Sequence, residues 1–192
     1  VSPVVFTRDV PGLGEFALRP VQVGADAALL HRWVTAPRAR FWQMQDCSPA
    51  QVAAAYAEID ADPTHDALLG LVDGSPQFLV ERYDPAHDPV GAVYPVRPGD
   101  VGMHVLVGPA DVPRPGFTTE VMRTVMAFLF DDPSTTRVVV EPDVGNTAVH
   151  ALNARVGFVV HDVVDLGTKQ ALLSSCTRDQ FTATIVPDGS PS

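Results

Sequence analysis

The sequence predicts a mixed α/β sheet protein of about seven strands and four helices. Three observations predict it. Apolar stretches of strand length alternate with stretches of helical spacing, in the order strand, two helices, three strands, helix, strand, helix, two strands. Asp73-Gly74 stands between two apolar runs, a hairpin signal. The chain has 192 residues, 46% of them apolar, enough for one well-buried domain and too short for two.

Each element has its own signal. Residues 1–15, with Pro3, Pro11, Gly12 and Gly14, read as an irregular lead-in. Phe16 to Pro20 is a short strand that its proline ends. Asp26 is placed to cap a helix carrying Leu29, Leu30, Trp33 and Val34, which Pro37 stops. Ser48-Pro49 opens the second helix, a cap residue followed by proline at the first helical position, and Asp62-Pro63 ends it. Ala67 to Val72, Gln77 to Tyr83 and Val101 to Val107 are the three strands that follow. Gly116 to Thr119 opens a helix with Val121, Met122, Val125, Phe128 and Leu129 on one face. Arg137 to Val140 is a buried-type strand. Asn146 caps a helix bearing Val149, Leu152 and Val156, with Gly157 at its stop. Phe158 to Leu166 and Gln170 to Cys176 are the last strands. The domain is therefore expected over residues 16–182, with 183–192 a loose tail.

Composition excludes several functions. With 13 basic and 23 acidic residues the net charge is −10, so the basic footprint of a nucleic-acid binder is missing. Lys169 is the only lysine. No apolar run reaches the ~18 residues of a membrane span. Val1 to Val10 shows no basic start before an apolar run, and the expectation is a soluble cytoplasmic protein. Cys47 and Cys176 form no CxxC, and neither His31, His65, His87, His150 nor His161 has ligand spacing, so no metal is assigned. A single disulfide between the two cysteines is open but not indicated.

Several segments, taken in order, carry a resemblance. They are His31-Arg32-Trp33-Val34, Phe41-Trp42-Gln43-Met44, Gly102-Met103-His104-Val105-Leu106-Val107-Gly108-Pro109, Glu141-Pro142-Asp143-Val144-Gly145-Asn146 and Asn153-Ala154-Arg155-Val156-Gly157-Phe158. Together with the element order they resemble the siderophore-biosynthesis branch of the GNAT acyltransferase superfamily, over roughly residues 16 to 182. The resemblance implies acylation of the side-chain amine of lysine, or its N-hydroxylated form, by acetyl-CoA or another acyl-CoA. A GNAT enzyme for another small amine or a protein amine, and a non-catalytic acyl-CoA-binding domain, are the alternatives. It implies small-molecule partners, no nucleic acid and no membrane, in a monomer or homodimer. The superfamily's phosphate loop reads Gln/Arg-x-x-Gly-x-Gly/Ala. Here Pro113 stands at its first position, Arg114 is displaced by one, and Thr118 takes the last.

The residue chemistry can be stated beside that resemblance. Acyl transfer from a thioester to an amine needs a docked donor, a neutral nucleophile, hydrogen-bond donors for the oxyanion and a path for a proton. The helix start at Arg114, Gly116, Phe117, Thr118 and Thr119 offers N–H groups and a positive dipole end to phosphates, or is an ordinary glycine turn. Glu120 is expected to face solvent. His104 is mid-strand, on one face with Leu106, and is either a proton acceptor or an interior residue bonded to a carbonyl. Asp143 follows a strand end, where it orients an acceptor or simply makes a turn. The resemblance makes His104 and Asp143 the catalytic pair and adds Leu106 and Asn146 to the donor site. Trp42 and Gln43, between two helices, are expected to wall and orient the amine. Arg19, Arg32 and Arg155 read as structural or surface residues.

Overall fold

The computed structural model describes residues 3–110 and 112–185. Its strands are β1 (Phe6–Val10), β2 (Gly14–Pro20), β3 (His65–Val72), β4 (Ser75–Tyr83), β5 (Asp100–Val107), β6 (Arg137–Val140), β7 (Val159–Asp165) and β8 (Gln170–Thr177). The α-helices are α1 (Val23–Val34), α2 (Pro49–Ala61), α3 (Phe117–Asp131), α4 (Thr147–Arg155) and the short α5 (Arg178–Ala183). A 3-10 helix, Pro37–Trp42, links α1 to α2.

All eight strands form one sheet in the order β1-β2-β3-β4-β5-β6-β8-β7. Every pairing is antiparallel except β5 with β6. Alternation along the strands divides the core between two faces. Leu68, Phe78, Val80 and Met103 pack under α3, while Leu69 and Leu79 pack under α1 and α2 with Trp33, Val52 and Tyr56. Among the described residues no helix is long and apolar enough to cross a membrane.

The predicted elements are present, with corrections. Phe6–Val10 is a strand rather than part of an irregular lead-in, and β2 already starts at Gly14. Arg8 and Asp9 hid it: on this edge strand Thr7 and Asp9 face solvent, and Arg8 reaches across to Glu120 and Thr124 of α3. That makes eight strands, and α5 is a fifth helix whose start, Thr177 bonded reciprocally with Gln180, went unread. Asp26 lies inside the first turn of α1, where it accepts from Gln22 N–H and both guanidinium nitrogens of Arg19, each at 2.8 Å. Ser48 does cap α2, in a reciprocal bond pair with Gln51. Asn146 occupies the N-cap position of α4 without a side-chain cap bond. Glu120 does not face solvent: Arg8 and Arg123 hold it at 2.8 and 2.6 Å. Both cysteines are free thiols. Of the expected tail, residues 186–192 lie outside the described residues.

Candidate active site

The site begins where one ladder stops. β5 and β6 are paired only from Asp100 and Arg137 to Gly102 and Val139. Beyond that point β5 stays on β4 as far as Val107, while β6 turns away at Glu141. The phase of the β4–β5 ladder sets which groups are left over. Gly108 N–H donates to Gln77 O at 2.7 Å, so Leu106, His104 and Gly102, in step with it, also bond to β4. Val105 and Val107 consequently turn their N–H and C=O groups into the opening. Leu106, expected at the donor site, instead uses its backbone on β4 and packs its side chain beside Leu79. The donors belong to its neighbours.

His104 stands at the mouth of this opening, directly across from Glu81. Its Nδ1 lies 3.2 Å from Glu81 Oε2 and its Nε2 lies 2.7 Å from Glu141 Oε1. Glu81 also accepts the Tyr56 hydroxyl at 3.0 Å, and Glu141 the Tyr83 hydroxyl at 2.7 Å. Lys169 Nζ approaches Glu141 to 3.7 Å. The side chains of Glu81 and Glu141 are 11% and 3% exposed, against 35% for His104. The imidazole is therefore the cluster's face to the cleft.

Gly102 makes the arrangement fit. A Cβ there would sit 2.1 Å from the Tyr83 ring, so only glycine lets that ring lie flat on β5 and reach Glu141. Tyr83 then lies 5.0 Å, ring to ring, from His104, with Trp42 at 6.1 Å on the other side.

Electrostatics follow from this packing. Burial alone would lower the His104 pKa, but hydrogen bonds and charge from Glu141 and Glu81 outweigh it and push it up to about 10. Burial would raise the Glu141 carboxyl. The His104 bond and charge, then Lys169 and Tyr83, hold it below the ordinary range instead. Burial and the neighbouring carboxylates push both Tyr56 and Tyr83 above the usual phenol range. The raised His104 pKa and the lowered Glu141 pKa favour an ion pair between them, with both ring nitrogens of His104 engaged.

The other expected residues are placed around it. Asp143 follows β6, half-buried, with Oδ1 accepting the Gly145 N–H at 2.8 Å. Among the described residues no hydrogen bond joins it to His104. Trp42 borders the cluster, while Gln43 is exposed and takes φ 62, the left-handed turn that ends the 3-10 helix. At the start of α3, Gly116 has φ 76 and nothing within 4 Å of a Cβ position. The Phe117 side chain belongs to the core, and its N–H is taken by Arg114 O. Arg114 stacks over the Phe117 ring at 4.0 Å. Among the described residues the N–H groups of Thr118 and Thr119 have no backbone partner outside the helix. Asn146 N–H goes to Asp143 O.

The sequence motifs missed Glu81, Tyr56, Tyr83 and Lys169, and left Glu141 unassigned although it opens the Glu-Pro-Asp segment. A signal existed for Glu81: it is a carboxylate directly after the apolar run Phe78-Leu79-Val80. Among the described residues no group of three or more His, Cys, Asp or Glu is placed to hold a metal ion.

A parted strand pair with free backbone donors, beside a helix start that presents N–H groups, defines a fold for seating an extended acyl donor. The open space at Gly116 and the free groups of Val105 and Val107 fit acyl-CoA. The chain belongs to the GNAT acetyltransferase family: the family's Acetyltransferase (GNAT) domain matches residues 22–166. It is 28% identical over 168 residues to an N-hydroxyputrescine acetyltransferase of Acinetobacter baumannii, covering 86% of this chain and 79% of that one. It is 27% identical over 172 residues to the lysine N-acyltransferase MbtK of a Mycobacterium strain, covering 88% and 70%. A hydroxyornithine transacylase of Ajellomyces capsulatus is 30% identical over 181 residues, and there this chain spans 41% of the relative's length. Among solved structures, aminoglycoside acetyltransferase AAC(6')-Ib with ribostamycin and coenzyme A superposes with a TM-score of 0.79, at 22% identity over 91% of this chain and 99% of that one. An uncharacterized Bacillus halodurans protein gives 0.86 at 24% identity, over 96% and 94%. The structural likenesses show the fold.

Proposed function

We propose that the chain is an acyl-CoA-dependent N-acyltransferase of siderophore assembly whose acceptor is the N-hydroxylated side-chain amine of lysine or a related diamine. One observation carries the choice of acceptor. Both nitrogens of His104 are held by buried carboxylates, so the site offers no free imidazole base. A lysine amine has a pKa of about 10.4 and arrives charged, needing a base before it can attack. A hydroxylated amine is far less basic and arrives largely neutral. The names of two relatives, which specify hydroxyputrescine and hydroxyornithine, support a hydroxylated acceptor, and that of the lysine N-acyltransferase supports a side-chain amine of the lysine type.

The residues then divide the work. Thr118 and Thr119 N–H groups at the α3 start bind the donor's phosphates, with Gly116 giving them access. The bound thioester supplies the activated acyl group. Val105 and Val107 turn backbone donors toward its carbonyl, a preorganised arrangement of the kind that is typically the largest contribution to such catalysis. The His104 cation stands beside the charge that develops there. Asp143, with one oxygen still open, orients the hydroxylamine and takes its proton as the N–C bond forms; the thioester C–S bond then breaks and CoA leaves as the thiol, taking up that proton. Trp42 walls the aliphatic stem.

Thiol release from acetyl-CoA tests this, with N6-hydroxylysine, N5-hydroxyornithine and N-hydroxyputrescine compared against lysine and putrescine. Hydroxylated acceptors should turn over best, with mass analysis placing the acyl group on nitrogen. Better turnover of the plain amines would refute the acceptor. Intact CoA binding without acceptor-dependent release would refute catalysis.

A further inference from the structure

The cluster at the cleft contains two buried carboxylates, and His104 brings one positive charge to answer them. The second cation comes from a turn. Lys169 lies between β7 and β8, where Gly167 takes φ 79 and Leu166 N–H donates to the Lys169 carbonyl at 3.0 Å. The start of β8 is pinned to the segment that follows β6. Val144 N–H donates to Gln170 O at 3.0 Å, Leu172 N–H donates to Pro142 O at 2.8 Å, and Asp143 forms a bridge with Ala171. A lysine on such a turn ordinarily extends its ammonium into water. This one turns inward. Its side chain is 17% exposed, and Nζ stands 3.7 Å from Glu141 Oε1, the oxygen that His104 Nε2 also holds.

We propose that Lys169 is a positioning residue of the acyl-transfer site, supplying from the β7–β8 turn the second cation that keeps Glu141 ionised and fixed against His104. The inference rests on the functional reading above. The groups facing Glu141 are His104 from β5, the Tyr83 hydroxyl from β4 and Lys169 from the turn. Glu81 lies beyond His104, and Asp88 acts on Tyr83 from the loop after β4. His65 from β3 faces Glu81 at 3.9 Å, so on Glu141 itself the two basic groups are His104 and Lys169. Without the ammonium, Glu141 bears its burial against one imidazolium and takes up a proton at higher pH. A protonated Glu141 holds Nε2 weakly, and the ring that faces the cleft loses its fixed orientation. The same turn carries β8 onto Asp143, so Lys169 ties together the two sides of the acceptor site.

Lys169→Met and Lys169→Arg test this with two readouts. One is the acid limb of kcat/KM for a hydroxylated acceptor. The other, needing no substrate, is the acid midpoint of folding stability followed by urea denaturation. Lys169→Met should move both acid midpoints up by about one pH unit, a shift typical of losing one close charge. Lys169→Arg should return both to wild type. If Lys169→Met does not fold, Lys169→Gln removes the charge while keeping a donor for Glu141 and carries the same expectation. A stability loss of equal size at every pH, with the acid midpoints unmoved, would overturn the proposal. Should wild type itself show no acyl transfer, the stability readout still decides the role of Lys169, and the functional reading falls separately.

Discussion

His104 Nε2 lies 2.7 Å from Glu141 Oε1, and this bond joins the two strands at the point where their own ladder has ended. His104 is two residues past Gly102, the last β5 position paired with β6, and Glu141 is the first residue after β6. Side chains therefore continue the contact that the backbone abandons. The cost of burying Glu141 is offset by hydrogen bonds from His104 and Tyr83 and by the Lys169 charge. The opening is held at a fixed width while its inner backbone groups stay free.

Glu141→Gln tests that strut. The substitution preserves shape but removes the charge that holds the imidazolium. Breaking a buried pair costs about 3–5 kcal/mol. The partial exposure of His104 and the retained amide reduce this to about 2 kcal/mol. The fall should appear in urea denaturation at pH 7, with acyl transfer reduced at least tenfold in the protein that remains folded. Wild-type stability and turnover would show that the bond is incidental.

Much of this fold could be read from the chain because its signals are local. Ser48-Pro49 marks the start of α2 and Asp73-Gly74 marks the β3–β4 turn, each within a few residues. His104 and Asp143 were legible as candidates on the same terms. Glu81 was not, because its partnership with His104 depends on the register of β4 against β5 across a connection of irregular turns. Lys169 was hidden for a similar reason: nothing local says that a turn lysine folds inward. Which of Leu106 and its neighbours turns its backbone groups away from β4 was not legible either, since the ladder phase is fixed by the Gly108–Gln77 bond.

Gly116→Asn separates folding from donor binding. The φ of 76 is one that asparagine tolerates, and no atom lies within 4 Å of the Cβ position, so the helix should form normally. The new side chain nevertheless fills part of the open space that Gly116 leaves at the start of α3. CoA affinity measured by calorimetry should drop tenfold or more, with thermal stability nearly unchanged. Undiminished affinity would place the phosphates elsewhere.

Asp143→Asn should act on the acceptor more than on the donor. Oδ1 is committed to the Gly145 N–H, and asparagine can keep that bond through its own oxygen. The open side of the group then loses its charge. Steady-state kinetics should show a raised KM for the hydroxylamine and a kcat lower by about 10²-fold, within the range of lost proton transfer. CoA affinity should not move. An unchanged KM and kcat would reduce Asp143 to a turn residue.

His104→Ala has an effect on stability whose size depends on pH. In wild type the folded His104 pKa is raised from 6.5 to about 10, so its contribution is fully present below 6.5 and is lost as pH rises through about 10. The folded Glu141 pKa is lowered from 4.5, so its contribution is present above 4.5 and is lost as pH falls through the depressed value. Both contributions are complete between those limits. Removing the imidazolium leaves Glu81 and Glu141 buried, with Lys169 3.7 Å from Glu141 and the His65 ring 3.9 Å from Glu81, and one carboxylate then keeps a proton in the folded state. A carboxylate with a raised folded pKa favours folding at low pH and loses that advantage as pH rises. The gap between wild type and His104→Ala should therefore be small at pH 4.5 and grow to about 2–3 kcal/mol at pH 7, below the full cost of breaking a buried pair because His104 is partly solvated. Urea denaturation at pH 4.5, 6 and 7.5 reads this directly. A gap that stays constant across the three would mean that His104 contributes packing alone, and that the carboxylates do not depend on it for their charge.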